Sequence, residues 1–292
     1  MHPIEMGVWS ARADVFVGDD TLAVAVIPWQ DRPGEPARMS RWLGGTGSYD
    51  FASIDRSSLG ISEGATIDTR NEYRATTMRN YGYLAHYKGS RPGVDFFGVV
   101  HNGPSAYPVL RREGSSGNRF FKETPPAFTA GGGLTAARGA WSYYGEALAQ
   151  STYDDRDQDF LKYVVGISYR ETELAESLGL EEIMPIVEYA GEGTFGQQDG
   201  SRYVADSRAA RPARDTILMR LAVRQTDKLS YSVGGARNFE TRDYYWTAGA
   251  EYKFSDDLRI RGDLRMFSGS PDTDFGRWAR NDHFEVGLIY KF

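Results

Sequence analysis

From Tyr244 to Phe267 the sequence alternates with a period of two. Tyr244, Trp246, Ala248, Ala250, Tyr252 and Phe254 fall on one side of an extended chain, and Asp243, Tyr245, Thr247, Gly249, Glu251 and Lys253 on the other. Ser255-Asp256-Asp257 turns the chain, and Leu258, Ile260, Gly262, Leu264 and Met266 then stand opposite Arg259, Arg261, Asp263, Arg265 and Phe267. This period excludes a helix, on which apolar residues recur every three or four positions. It predicts two antiparallel strands with one apolar and one charged face. The apolar face fits a protein core or hydrocarbon equally well, and alternation alone does not choose between them.

The same period runs through most of the chain. Val8–Val17, Thr21–Trp29, Arg79–Lys88, Val94–His101, Pro126–Arg138, Ala140–Gln150, Phe160–Tyr169, Ile183–Tyr189, Thr216–Arg224, Leu229–Val233 and His283–Phe292 read as further arms, about thirteen in all. Most are near the roughly 9–11 residues that cross a bilayer at a tilt. The connections differ systematically in length. Those at Gly18, Ser90, Gly139, Thr226 and Ser255 are short, whereas those beginning at Gln30, Asn102, Gly191 and Gly269 are long. Short turns at one end and long loops at the other are expected of an outer-membrane barrel, and a soluble sandwich has no reason to sort its loops this way. Two connections fit less well: Glu171–Glu182, read as a connection rather than a helical turn, is long, and Thr152–Asp159 is short.

Composition narrows the classes further. At 292 residues, one large β domain fits the length. A mean hydropathy of −0.51, and no run of about 18 apolar residues, exclude a helical membrane protein but not a barrel, in which only alternate residues meet lipid. The chain has no cysteine, which rules out disulfides, thiolate metal sites and cysteine nucleophiles. Its four histidines are scattered, so no zinc site is expected, and no cofactor either. A net charge of −6 argues against a nucleic-acid partner. MHPIEMGVWS has no basic and then apolar leader pattern. If the last strand ends in the periplasm, the first arm descends as well, and single-chain bacterial barrels have even strand numbers. The expectation is therefore a single transmembrane β-barrel domain over 1–292, cut from a larger barrel, or with one strand overlooked within 43–76.

The last arm, HFEVGLIYKF, places Phe284, Val286, Leu288, Tyr290 and Phe292 on one side and stops on an aromatic. It resembles the closing strand of bacterial outer-membrane β-barrels, which ends in Phe after aromatic or aliphatic residues at every second position. The resemblance implies that this strand is read by the barrel assembly machinery. Asp274-Phe275-Gly276, Asn281-Asp282-His283-Phe284, FLKYVVGISY and YYWTAGAEYKFSDDLRIRGDLRMF together resemble large porins of the alginate-export and related uncharacterised families. Membership would imply a channel for polar or anionic solutes, set in outer-membrane lipid and lipopolysaccharide of the bacterial cell; it does not identify the solute.

With the apolar face toward lipid, Arg220, Arg224, Glu251, Lys253, Arg259, Arg261, Asp263, Arg265 and Glu285 line the lumen. The alternative orientation costs about 2–4 kcal/mol for each Arg or Lys at the midplane. These residues read either as a basic ladder that favours anions or as a paired network that fills the lumen and fixes register. Trp141, Tyr143, Tyr244, Trp246, Tyr290 and Phe292 are candidates for an aromatic girdle at the lipid headgroups. Asp155, Asp157 and Asp159 have the spacing of a calcium loop but lack its Gly and distal Glu, so a solvated turn is expected. His86, His101 and Asp95 lie on neighbouring arms with no G-x-S-x-G motif, and no enzyme is expected. GEGTFG at 191–196 precedes no helix and does not read as a phosphate loop. Besides a pore, two readings remain: a barrel that holds a periplasmic or electron-carrying protein, and a soluble β-sandwich that binds a ligand.

Overall fold

The alternating arms are strands. The computed structural model describes residues 9–29, 66–69, 78, 81–114, 119–211, 213–271 and 273–291. In chain order the strands are β1 (Trp9–Val17), β2 (Asp20–Trp29), β3 (Thr66–Thr69), β4 (Gly82–Arg91), β5 (Val94–Pro104), β6 (Val109–Arg112), β7 (Arg119–Glu123), β8 (Pro126–Arg138) and β9 (Trp141–Thr152). They continue with β10 (Phe160–Tyr169), β11 (Glu182–Thr194), β12 (Tyr203–Ala205), β13 (Thr216–Thr226), β14 (Leu229–Asn238), β15 (Tyr244–Lys253), β16 (Leu258–Ser268) and β17 (His283–Tyr290). Among the described residues, thirteen strands form one sheet in the order β1-β2-β4-β5-β8-β9-β10-β11-β13-β14-β15-β16-β17, and β12-β6-β7-β3 form a second. The large sheet is an up-and-down meander, in which tight turns join some neighbouring arms and longer connections, three of them holding strands of the small sheet, join others. Gly18 and Gly139 sit at such turns with φ of 64° and 60°, a backbone region that glycine enters without penalty.

Cα packing divides the chain into two units: Met1–Leu134, Glu146–Tyr163 and Glu192–Pro212 form the first, and Thr135–Gly145, Val164–Gly191 and Ala213–Phe292 the second. In the second unit the register carries each face unbroken from strand to strand. Leu221, Val233, Ala248, Leu264 and Phe284 form one cross-strand row, and Val223, Tyr231, Ala250, Gly262 and Val286 the next. The opposite face has the row Glu182, Arg224, Ser230, Glu251, Arg261 and Gly287. Among the described residues nothing in the unit covers the apolar face: Phe284 is 68% exposed, Leu288 69% and Trp246 57%. A β-sandwich would bury these side chains between its sheets, so the sandwich reading fails.

The first unit repeats the alternation, with Ala13, Val24, Ala85 and Val100 in one row. It also contains a conventional core. Val109, Leu110, Phe120, Phe121 and Tyr203 are buried in and around the small sheet, in which β3 runs parallel to β7. Here the structure corrects the sequence reading. The Asn102–Thr124 connection contains β6 and β7, and the Gly191–Arg214 loop contains β12 and a 3-10 turn at Ser207–Ala210. Segments of three to five residues are too short to show a period of their own. In the second unit, Glu171–Glu182 holds a short helix, α1 (Glu173–Ser177), whose first turn is capped by Glu171 accepting the Leu174 N–H at 2.9 Å. Most of Gln30–Arg70 and of 43–76 lies outside the described residues.

Candidate functional site

The polar face of the second unit carries every residue predicted to line a lumen. The register puts Arg220, Arg224, Glu251, Lys253, Arg259, Arg261, Asp263, Arg265 and Glu285 on one side of β13, β15, β16 and β17. Between β13 and β15, strand β14 contributes Ser230, Ser232, Gly234 and Ala236 to this face before it ends on Asn238. Small side chains there leave a groove of about 310 Å³, bordered by Glu182, Arg220, Arg224, Glu251, Arg261 and Asp263.

Most of these charges are paired. Arg224 reaches Glu181 at 3.0 Å and Glu182 at 3.2 Å, and Glu182 is also 3.3 Å from Arg170. Arg259 lies 3.4 Å from Glu251, Arg261 2.6 Å from Asp263, and Lys253 3.2 Å from Asp256 in the following turn. Among the described residues Arg220, Arg265 and Glu285 form no ion pair within 4.0 Å. The face is thus neither a bare basic ladder nor a fully neutralised network. Arg224 meets Glu182 and Arg259 meets Glu251 across strands, Arg261 meets Asp263 along its own strand and Lys253 meets Asp256 in the turn, and among the described residues Arg220 and Arg265 are left over.

The predicted girdle residues lie on the apolar face at both strand ends. Trp141 stacks on Tyr143 at 6.2 Å between ring centroids and meets Tyr169 at 4.5 Å, close to the Gly139 turn. Tyr290 lies at the end of β17 opposite Leu258, and Tyr252 packs edge-on to Phe254 at 4.9 Å. Tyr244 and Trp246 open β15 at the other end, and all of these rings are exposed except that of Tyr169, which is half-buried. Phe292 lies outside the described residues.

At that other end, the loop between β16 and β17 folds back onto two buried polar side chains the sequence did not single out. Asp243 accepts the backbone N–H groups of Phe275 and Gly276 and the Thr241 hydroxyl. Asn238 donates to Asp274 at 3.2 Å and accepts from the Glu240 and Thr241 N–H groups. A side chain at Gly276 would collide with the backbone of Ser270 and Gly269, so glycine is required for this approach. The Asp274-Phe275-Gly276 motif is therefore a loop anchor, with the Phe275 ring 5.0 Å from Tyr245. Burial raises the pKa of the Asp274 carboxyl.

The first unit corrects the expectation of a solvated turn at Asp155, Asp157 and Asp159. Asp157 is buried and accepts from both the backbone N–H and the hydroxyl of Ser207. Arg211, fully buried, forms a two-point pair with Glu192 at 2.8 Å, lies 3.7 Å from Asp157, and stacks its guanidinium 4.0 Å from the Phe160 ring centroid. Asp159 instead accepts from Ser151 and Thr152, and Asp155 is exposed, so the three carboxylates do not converge. The partners of Asp157 lie about fifty positions away, beyond any local pattern. His86 packs on Phe97 at 5.8 Å, and Asp95 accepts from Ser90 at 2.5 Å, which leaves no Ser-His-Asp arrangement in these contacts.

No protein-family model matches the chain, and no curated protein matches its sequence. Solved structures do. One described as "Asymmetric conductivity of engineered proteins" aligns with a TM-score of 0.50 at 12% identity, over 97% of this chain and 77% of that chain. A mutant of the Rh. blastica porin aligns with a TM-score of 0.49 at 11% identity, over the same shares. On the strand pattern and the first of these likenesses, the chain shares the fold of that structure, all-β and antiparallel, of the β-barrel class.

Proposed function

We propose that the chain is a channel of the bacterial outer membrane that passes polar, preferentially anionic, solutes. The observation that carries this reading is an uncovered apolar face opposite a face of ionised side chains, continuous over β13–β17. Water would have to hydrate the apolar face at a cost of about 25 cal/mol per Å², whereas hydrocarbon accepts it and requires paired backbone, as β13, β14, β15 and β16 have on both sides. The aromatic rings at both strand ends then meet lipid headgroups and lipopolysaccharide. The charged face encloses water, and Arg220 and Arg265, which have no carboxylate within 4.0 Å among the described residues, favour anions there. As a single domain, the chain would enter the membrane through the assembly machinery by way of its last strand.

The test is reconstitution of the detergent-folded chain into planar bilayers. Stepwise conductance with a reversal potential displaced toward the anion is expected, together with heat-modifiable migration on a gel. Heat-modifiable migration without conductance would favour a barrel that holds a partner protein, and a monodisperse protein in plain buffer would end both readings.

A further inference from the structure

We infer that Arg220 and Arg265 together form a binding site for dicarboxylate solutes, an inference that rests on the channel reading and names the solute class that it serves. The row Ile186, Arg220, Gly234, Thr247, Arg265 and His283 sets both arginines on one line across the polar face. Three strand spacings separate them, roughly 14 Å. Gly234 and Thr247 lie between them. A β-carbon at Gly234 would stand 2.6 Å from the Met219 carbonyl oxygen, so the floor beside Arg220 holds no side chain. The Thr247 hydroxyl is the polar group between them, with Ser232 one row away on one side and Tyr245, close enough to Arg265 to feel its charge, one row away on the other.

The neighbouring arginines differ in one respect. Arg224, Arg259 and Arg261 are each held by a protein carboxylate, whereas Arg220 and Arg265 have none within 4.0 Å among the described residues. The nearby carboxylates are engaged or displaced: Asp263 is bound by Arg261, Glu188 accepts the Tyr144 hydroxyl at 2.7 Å, and Glu285 stands opposite Asp263, near Arg261. His283 has its Nδ1 2.8 Å from the Asn281 carbonyl oxygen. A guanidinium presents a planar fork that binds a carboxylate through two parallel hydrogen bonds. Two such forks on one row, with only Gly234 and Thr247 between them in that row, suit a solute with a carboxylate at each end. A single small ion can satisfy only one of them.

The folded chain in detergent is treated with phenylglyoxal, with and without succinate, and the modified arginines are mapped by mass spectrometry. Arg220 and Arg265 should react faster than Arg261, and succinate should slow both, while acetate at the same carboxylate concentration should protect less. In planar bilayers succinate should reduce the chloride current, and Arg220→Gln or Arg265→Gln should each weaken that block about tenfold, the size of one charge-assisted hydrogen bond. Conductance with no protection by succinate, or equal protection of Arg261, overturns the site and leaves the channel standing. Protection without conductance keeps the site and removes the channel.

Discussion

Phe284 and Leu288 on β17 are more than two-thirds exposed, while Phe120 and Phe121 on β7 are 1% exposed. The same class of side chain thus meets opposite fates in two sheets of one chain. In the small sheet of the first unit, apolar groups are removed from water by one another, in a core of Val109, Leu110, Phe120, Phe121 and Tyr203. In the second unit they point away from everything in the unit, and a hydrocarbon phase has to do what a core does elsewhere. Burial is therefore a poor guide to which apolar residues matter here; what matters is the medium each face meets.

The contrast can be broken most sharply in the first unit. Arg211→Met should cost about 3–5 kcal/mol, because Glu192 and Asp157 would remain buried without their cation. Limited proteolysis should then cut within 192–212 while the heat-modifiable band persists; an unchanged cleavage pattern would show that the buried pair does not hold this segment. Phe120→Ala should cost a similar 3–5 kcal/mol through loss of core packing, whereas Phe284→Ala should cost far less in detergent. Urea unfolding of the two variants compares the sheets directly, and equal losses would abolish the distinction.

On the apolar face, Leu264→Arg should destabilise the lipid-inserted chain by about 2–4 kcal/mol, and the polar-face change Thr247→Arg should cost less. The reverse order would turn the sheet inside out. On the polar face, Arg261→Ala should displace the reversal potential toward cations, because it uncovers Asp263 as well as removing a positive charge. Glu285→Gln should displace it toward anions. The smallest effect is a pH dependence in the first unit. Burial raises the pKa of Asp157, so the folded state holds its proton more tightly than the unfolded chain. Its contribution to stability should therefore fall as pH rises from the ordinary aspartate range to the raised value and then level off. Asp157→Asn should remove that slope in a proteolysis series across pH.

Much of this was legible beforehand, and for a local reason. A strand's two faces follow from odd and even positions, so the sidedness of Tyr244–Phe254 and Leu258–Phe267 needed no knowledge of distant residues. The strand count and the split between tight and long connections came from the same local pattern. The small sheet was not legible. Tyr203 pairs with Arg111 and Thr66 with Arg119, across separations that no periodicity spans, and each strand is too short to declare itself. Asp157 looked like part of a solvated acidic turn because its serine and arginine partners come from a different loop.

The division is clearest on the polar face. Composition and alternation determined which residues share that face, since a period of two is a property of neighbouring positions. Register determined which charges cancel. Arg261 finds Asp263 on its own strand and Arg259 finds Glu251 across the pair, while Arg220 and Arg265 fall in a row with Gly234 and Thr247. A pair along one strand, such as Arg261 with Asp263, needs no alignment, but one such as Arg224 with Glu182, 42 positions apart, exists at a few ångströms only once the strands are aligned.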